Sequence, residues 1–195
     1  PQRFLQQRLT MMTLTNSNGP GTHVEAAGKP DLRRTGIHPG HWYPLARTNK
    51  LGRGKTLGVT FAGDPIVLVR TRSDAVFALE DRCAHRQVPL HAGQVNGEHV
   101  QCCYHGWTYD STGRCINVPY MDKAKSLPNG VRSYPCREAY GLIFVFTGEP
   151  AEMQAAKFPI IPSFSEPRYK TRFLDRHVRC HYSFMHENLM DMNHQ

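Results

Sequence analysis

CAHRQVPLHAGQVNGEHVQCCYHGW, running from Cys83 to Trp107, holds three of the six cysteines and four of the eleven histidines in a chain of 195 residues. The sulfur and imidazole donors gather in two clumps, Cys83-Ala84-His85 and Cys102-Cys103-Tyr104-His105, with sixteen residues between His85 and Cys102. Thiolate and imidazole suit the same soft and borderline metals. C-x-H followed by C-x-x-H therefore reads as two thiolates and two imidazoles closing on one metal centre from two loops. Gly106, directly after the second clump, allows a tight backbone turn beside the site. Cys103 is an extra sulfur; the C-x-x-H spacing favours Cys102 as the ligand and leaves Cys103 packed or weakly exposed. His91 and His99, inside the intervening segment, read as surface residues. The competing readings are a structural zinc site with the same donors and histidines satisfied in a core.

On either side of this stretch the apolar residues come in short runs split by turn signals. Thr56–Phe61, Ile66–Arg70 and Val76–Leu79 read as antiparallel strands, with Gly63-Asp64-Pro65 and Arg72-Ser73-Asp74 as the turns between them. Order begins at His41-Trp42-Tyr43-Pro44-Leu45. Asp110-Ser111-Thr112-Gly113 is a further turn, and Val131 to Phe146 gives more strand. Each donor clump thus sits in a turn between strands. Residues 1–36 are polar and predict a flexible leader. Met11 or Met12 is a plausible start, with residues 1–10 lying upstream of it; Arg3 and Arg8 before the first acid, Glu25, give a faint hint of a transit peptide. Pro159, Pro162 and Pro167 mark a boundary over 151–168. Arg172–Tyr182 then reads as a strand opening a second unit, and His186–Gln195 as a helix.

Composition narrows the function classes. A hydrophobic fraction of 39% supports a sizeable core, and 16 Gly with 14 Pro fit a mainly β chain of many turns. No apolar run approaches the ~18 residues of a membrane helix. The net charge of +8 comes without a basic run interleaved with aromatics, so nucleic acid is not an expected partner. Six cysteines without a regular framework point to a cytoplasmic protein with ligand cysteines rather than a disulfide scaffold.

The two clumps, their order and the trailing Tyr104-His105-Gly106-Trp107 resemble the Rieske [2Fe–2S] domain. The resemblance implies that Cys83 and Cys102 bind one iron and His85 and His105 the other, in an antiparallel β-sandwich of two small sheets with the cluster at the tip of two loops over residues 37–150. Neutral imidazoles in place of two charged thiolates make the reduced state easier to reach than in an all-cysteine cluster. Respiratory members carry two further cysteines in these loops; Val88 and Tyr104 stand there instead.

Asn188, Asp191 and His194 form N-x-x-D-x-x-H, which resembles the opening of the mononuclear iron motif of Rieske non-haem oxygenases, above all the dicamba and vanillate demethylase branch. The resemblance covers residues 38–195 and makes 151–195 the truncated start of an α+β catalytic domain. It implies that His194 binds Fe(II), that Asp191 bridges toward His105 of a neighbouring subunit, and that Asn188 lies near the iron. On one helix the three residues would share a broad side, drifting by about 60° per step. His181 and His186 do not match the spacing and read as structural or surface residues. The motif's second histidine and distant carboxylate fall beyond Gln195, which leaves the Fe(II) site incomplete and the fragment inactive at it. The implied partners are a ferredoxin or flavin reductase donor, O₂, a small organic, often aromatic, substrate and, in complete relatives, two further copies in a homotrimer. The alternative is a Rieske-type ferredoxin that carries electrons without catalysis.

Overall fold

A computed structural model describes residues 36–121 and 127–193. The leader, apart from Gly36, and His194 lie outside the described residues. Eleven strands and one α-helix are described: β1 (Trp42–Arg47), β2 (Lys55–Phe61), β3 (Asp64–Arg70), β4 (Val76–Glu80), β5 (Gln94–Asn96), β6 (His99–Gln101), β7 (Thr108–Tyr109), β8 (Cys115–Asn117), β9 (Ser133–Tyr134), β10 (Cys136–Ala139), β11 (Leu142–Phe146) and α1 (Tyr182–Met190). All pairings among the described strands are antiparallel. The architecture is mainly β, as the sequence predicts, but has three sheets rather than two: β1-β11-β10, β2-β3-β4-β9 and β5-β6-β7-β8.

The third sheet follows from the composition of β3 and β4. Ile66-Val67-Leu68-Val69 is apolar at every position, and a strand with such a run is covered on both faces. Val67, Val69, Phe77 and Leu79 join Leu90, Val95, Val100 and Tyr109 in one core, together with Cys83, Cys102 and Cys115. Ile66, Leu68 and Ala78, on the opposite face, join Ile143 and Val145 in another. The central sheet is thus packed between the β5-β6-β7-β8 sheet and the sheet that carries β11. Burying each large aliphatic side chain contributes about 1.5–3 kcal/mol, so the loops stand on a rigid base.

The described residues fall into two compact units, one of residues 36–179 and one that takes in the chain from Cys180 onward. Within the first, residues 151–179 run as a strap without strands. Phe158 anchors it, with ring centroids 5.3 Å from Trp42 and 4.9 Å from Phe144 and the Arg137 guanidinium 4.2 Å from its own. Further on, Arg47 pairs with Asp175 at 2.8 Å and lies 5.0 Å over the Phe173 ring. The strand expected over Arg172–Tyr182 does not form. A strand needs a neighbour for its backbone ladder, and here side chains, not a ladder, hold the segment through residue 175.

The helix expected over His186–Gln195 begins earlier and ends sooner, at Tyr182 and Met190. His181 caps it, its ring accepting from the Ser183 N–H. Asp191 has left helical geometry with ψ 102°, and its carboxylate accepts from the Asn193 N–H at 3.0 Å. Aspartate competes with the helix by bonding nearby backbone in this way. Asn188 is therefore helical and Asp191 is not, so the helix does not carry the two on one shared side. No helix among the described residues is long and apolar enough to cross a membrane.

Candidate metal centre

The two donor loops are built on one plan. In the first, the Cys83 N–H donates to the Val88 carbonyl at 2.9 Å and the Gln87 N–H donates back to the Cys83 carbonyl at 2.8 Å. In the second, the Cys102 N–H donates to the Trp107 carbonyl at 2.8 Å and the Gly106 N–H to the Cys102 carbonyl at 3.1 Å. The fourth residue after each cysteine turns left-handed: Gln87 with φ 57° and Gly106 with φ 72°. At Gly106 a side chain would also meet Pro119, 2.9 Å from the Cβ position. The first loop leaves β4 and the second joins β6 to β7, so the antiparallel sheets aim both knuckles at one another.

Cys83 and Cys102 are 2% and 4% exposed and belong to the same buried core. His85 and His105 lie further out, with ring centroids 4.7 Å apart. Trp107 stacks on His85 at 4.8 Å, nearly parallel, and Tyr104 lies 3.8 Å from His105. Among the described residues no three His, Cys, Asp or Glu side chains could hold one ion between them. The donors are instead sorted into a sulfur pair and a nitrogen pair. That arrangement fits a centre of two metals, each taking one pair, better than the single tetrahedral ion of a zinc site.

Electrostatics sharpen the division. Burial pushes the Cys102 thiol up, and the neighbouring Cys83 adds to it; a bound metal reverses this by holding the sulfur as thiolate. His85 is held below the usual histidine range, by desolvation first and then by His105 and Arg86. The neutral imidazole is the form that ligates. Tyr109, fully buried, accepts from the Ala84 N–H at 3.1 Å and has its hydroxyl 3.2 Å from the Cys83 sulfur.

Cys103 is exposed, away from the sulfur pair's core. His91 is exposed, as expected of a surface residue, and is also bonded to Asp81; the Nδ1 atom of His99 is buried, so His99 is not the simple surface residue expected. Asn188 and Asp191 belong to the second unit. The sequence reading missed Tyr109, Gln87 and Asp81. Only Tyr109 carried a signal, an aromatic in the strand just after the second loop.

Residues 41–135 match the Rieske [2Fe-2S] domain model, and with the paired donors this defines an iron–sulfur protein of the Rieske class. The likeness extends past the domain. The chain is 34% identical over 175 residues, 88% of its length, to 4beta-methylsterol monooxygenase of Methylococcus capsulatus, and 36% identical over 153 residues, 78% of its length, to the dicamba O-demethylase oxygenase component of Stenotrophomonas maltophilia. A crystal structure of dicamba monooxygenase bound to dicamba superposes with a TM-score of 0.73 and 34% identity, over 82% of this chain and 48% of that one. The chain thus carries a Rieske [2Fe-2S] domain and is similar over most of its length to Rieske oxygenases. It spans about half the length of the curated relatives it matches, 47% and 45% of the two named.

Proposed function

We propose that this chain is the electron-receiving part of a terminal oxygenase component, acting with a mononuclear non-haem iron and O₂ to hydroxylate or demethylate a small organic substrate, often an aromatic one. The observation that carries it is the pair of matching knuckles, which present two buried sulfurs and two outer imidazoles. Cys83 and Cys102 would hold one iron of a [2Fe–2S] cluster, and His85 and His105 the other. The bound cluster supplies one-electron storage at a potential above that of all-cysteine clusters. Stacking on Trp107 fixes the His85 ring, and both imidazoles stand on the outer side of the site, where electrons enter and leave.

Likeness over 88% of the chain favours an oxygenase over a free-standing ferredoxin. His194 would contribute to the iron site, with Asn188 near it. Asp191 would accept hydrogen bonds from imidazoles on its two sides, one being His105 of another copy in a homotrimer. A ferredoxin or flavin reductase would supply the electrons, docking on a chain whose net charge is +8, in the cytoplasm.

Iron, acid-labile sulfide and the EPR spectrum of the reduced chain test the reading together. About two irons and two sulfides with a rhombic Rieske-type signal are expected, and a third iron would bring His194 into use. Zinc without sulfide would overturn it.

Tyr109→Phe probes the sulfur side. Its hydroxyl stabilises the electron-rich reduced state more than the oxidised one, because hydrogen bonds to the sulfurs set the potential. The variant should keep its cluster, with a midpoint potential lower by roughly 40–60 mV, the equivalent of about 1–1.4 kcal/mol of differential hydrogen bonding. Protein-film voltammetry would measure the shift.

A further inference from the structure

The Asp81 carboxylate is 5% exposed, although no buried arginine or lysine answers it among its described bonds. A buried carboxylate needs full hydrogen bonding. Both of its oxygens are taken by one residue: Oδ1 accepts from the His91 backbone N–H at 2.7 Å, and Oδ2 is bonded to the His91 ring at Nδ1. Asp81 leaves β4 two residues before Cys83, and its own N–H donates to the Pro65 carbonyl at 2.9 Å. His91 lies in the short turn Leu90–Ala92, where Leu90 is fully buried beside Cys83 and Cys102. The whole first knuckle, Cys83 and His85 included, is the span between these two residues.

The clasp is fastened from outside as well. The His91 carbonyl accepts from the Thr56 hydroxyl on β2 at 2.7 Å. The His91 ring lies flat on β2 at Gly58, where an added Cβ would stand 2.5 Å from the ring. Three features meet at this one imidazole: a buried carboxylate, a strand with no side chain, and a backbone tether.

We propose that Asp81 and His91 are positioning residues that close the first donor loop and hold Cys83 and His85 in the geometry that retains the cluster. The proposal rests on the reading of Cys83, His85, Cys102 and His105 as cluster ligands. The clasp determines how easily the first knuckle swings away from the second. Without it, the left-handed Gln87 is held by the two backbone bonds and the Ala84 bond to Tyr109, and strained backbone persists only where its surroundings over-determine it.

The test uses the full chain loaded with its cluster. Loss of the visible absorption in excess EDTA is followed, and the EPR spectrum of the reduced protein is recorded. His91→Ala should lose the cluster about tenfold faster, the rate equivalent of roughly 1.4 kcal/mol, and should broaden the rhombic signal. His91→Asn, whose amide can replace Nδ1 toward Asp81, should restore both. Gly58→Ala leaves Asp81 and His91 themselves unaltered and should reproduce His91→Ala by displacing the ring. Release rates and spectra equal to the parent's in His91→Ala and Gly58→Ala would overturn the proposal, as would His91→Asn behaving like His91→Ala. A parent chain that holds no sulfide would instead overturn the cluster reading beneath it.

Discussion

Cys102→Ser is expected to take acid-labile sulfide from about two per chain to none, while Cys103→Ser leaves it at the parent's level. The two sulfurs are adjacent in sequence and opposite in setting. Cys102 is 4% exposed and shares a buried core with Cys83, whereas Cys103 is exposed. A serine hydroxyl is a hard oxygen and a poor substitute for thiolate at iron–sulfur sites. Loss of packing is a rival explanation, because Cys102 also fills the core. Cys115→Ala separates the two. Cys115 is 6% exposed in the same core, and its thiol donates to the Asn117 carbonyl at 3.7 Å. It should lower stability and keep the sulfide. Full sulfide in Cys102→Ser would end the assignment of Cys102 as a ligand.

The donors were legible because metal chemistry restricts residue types sharply: few reasons other than a metal gather C-x-H and C-x-x-H within 25 residues. The strands β2, β3 and β4 were legible to within two residues at their ends, because turns rich in Gly, Pro and Asp bracket apolar runs. The third sheet was not, although Ile66-Val67-Leu68-Val69 bears its mark. Its strands have two or three residues each, too short to show alternation. The left-handed Gln87 was hidden because glutamine gives no hint of positive φ. The Asp81–His91 bond joins residues ten apart through a turn whose shape no local pattern encodes. Helix α1 shows the opposite error: good helix formers suggested continuation through Asp191, and a single side-chain bond to Asn193 ends it.

Glu138→Gln is expected to cost roughly 2–3 kcal/mol at neutral pH, read as the change in unfolding free energy in urea. Arg70 on β3 is buried on the face turned toward the β1-β11-β10 sheet. Its guanidinium meets the Glu138 carboxylate on β10 at 2.5 Å and 3.1 Å, so one ion pair joins two sheets. Removing the carboxylate charge leaves a buried cation. The cost stays at the lower end for a broken buried pair because the Leu51 carbonyl still accepts from Nε at 2.8 Å and Asp74 remains 3.4 Å away. The pair also sets a pH dependence. Glu138 is held below the usual carboxylate range by the Arg70 hydrogen bond first, with desolvation opposing. A carboxyl lowered in the folded state adds stability above its unfolded value, near 4.5, and loses that contribution as pH falls through the folded value. The parent should therefore surpass Glu138→Gln by the full margin at pH 7, and the two should converge on acidification below about pH 4.5. Parallel stability curves from pH 7 to pH 3 would show that Arg70 draws its hold on the second sheet from elsewhere.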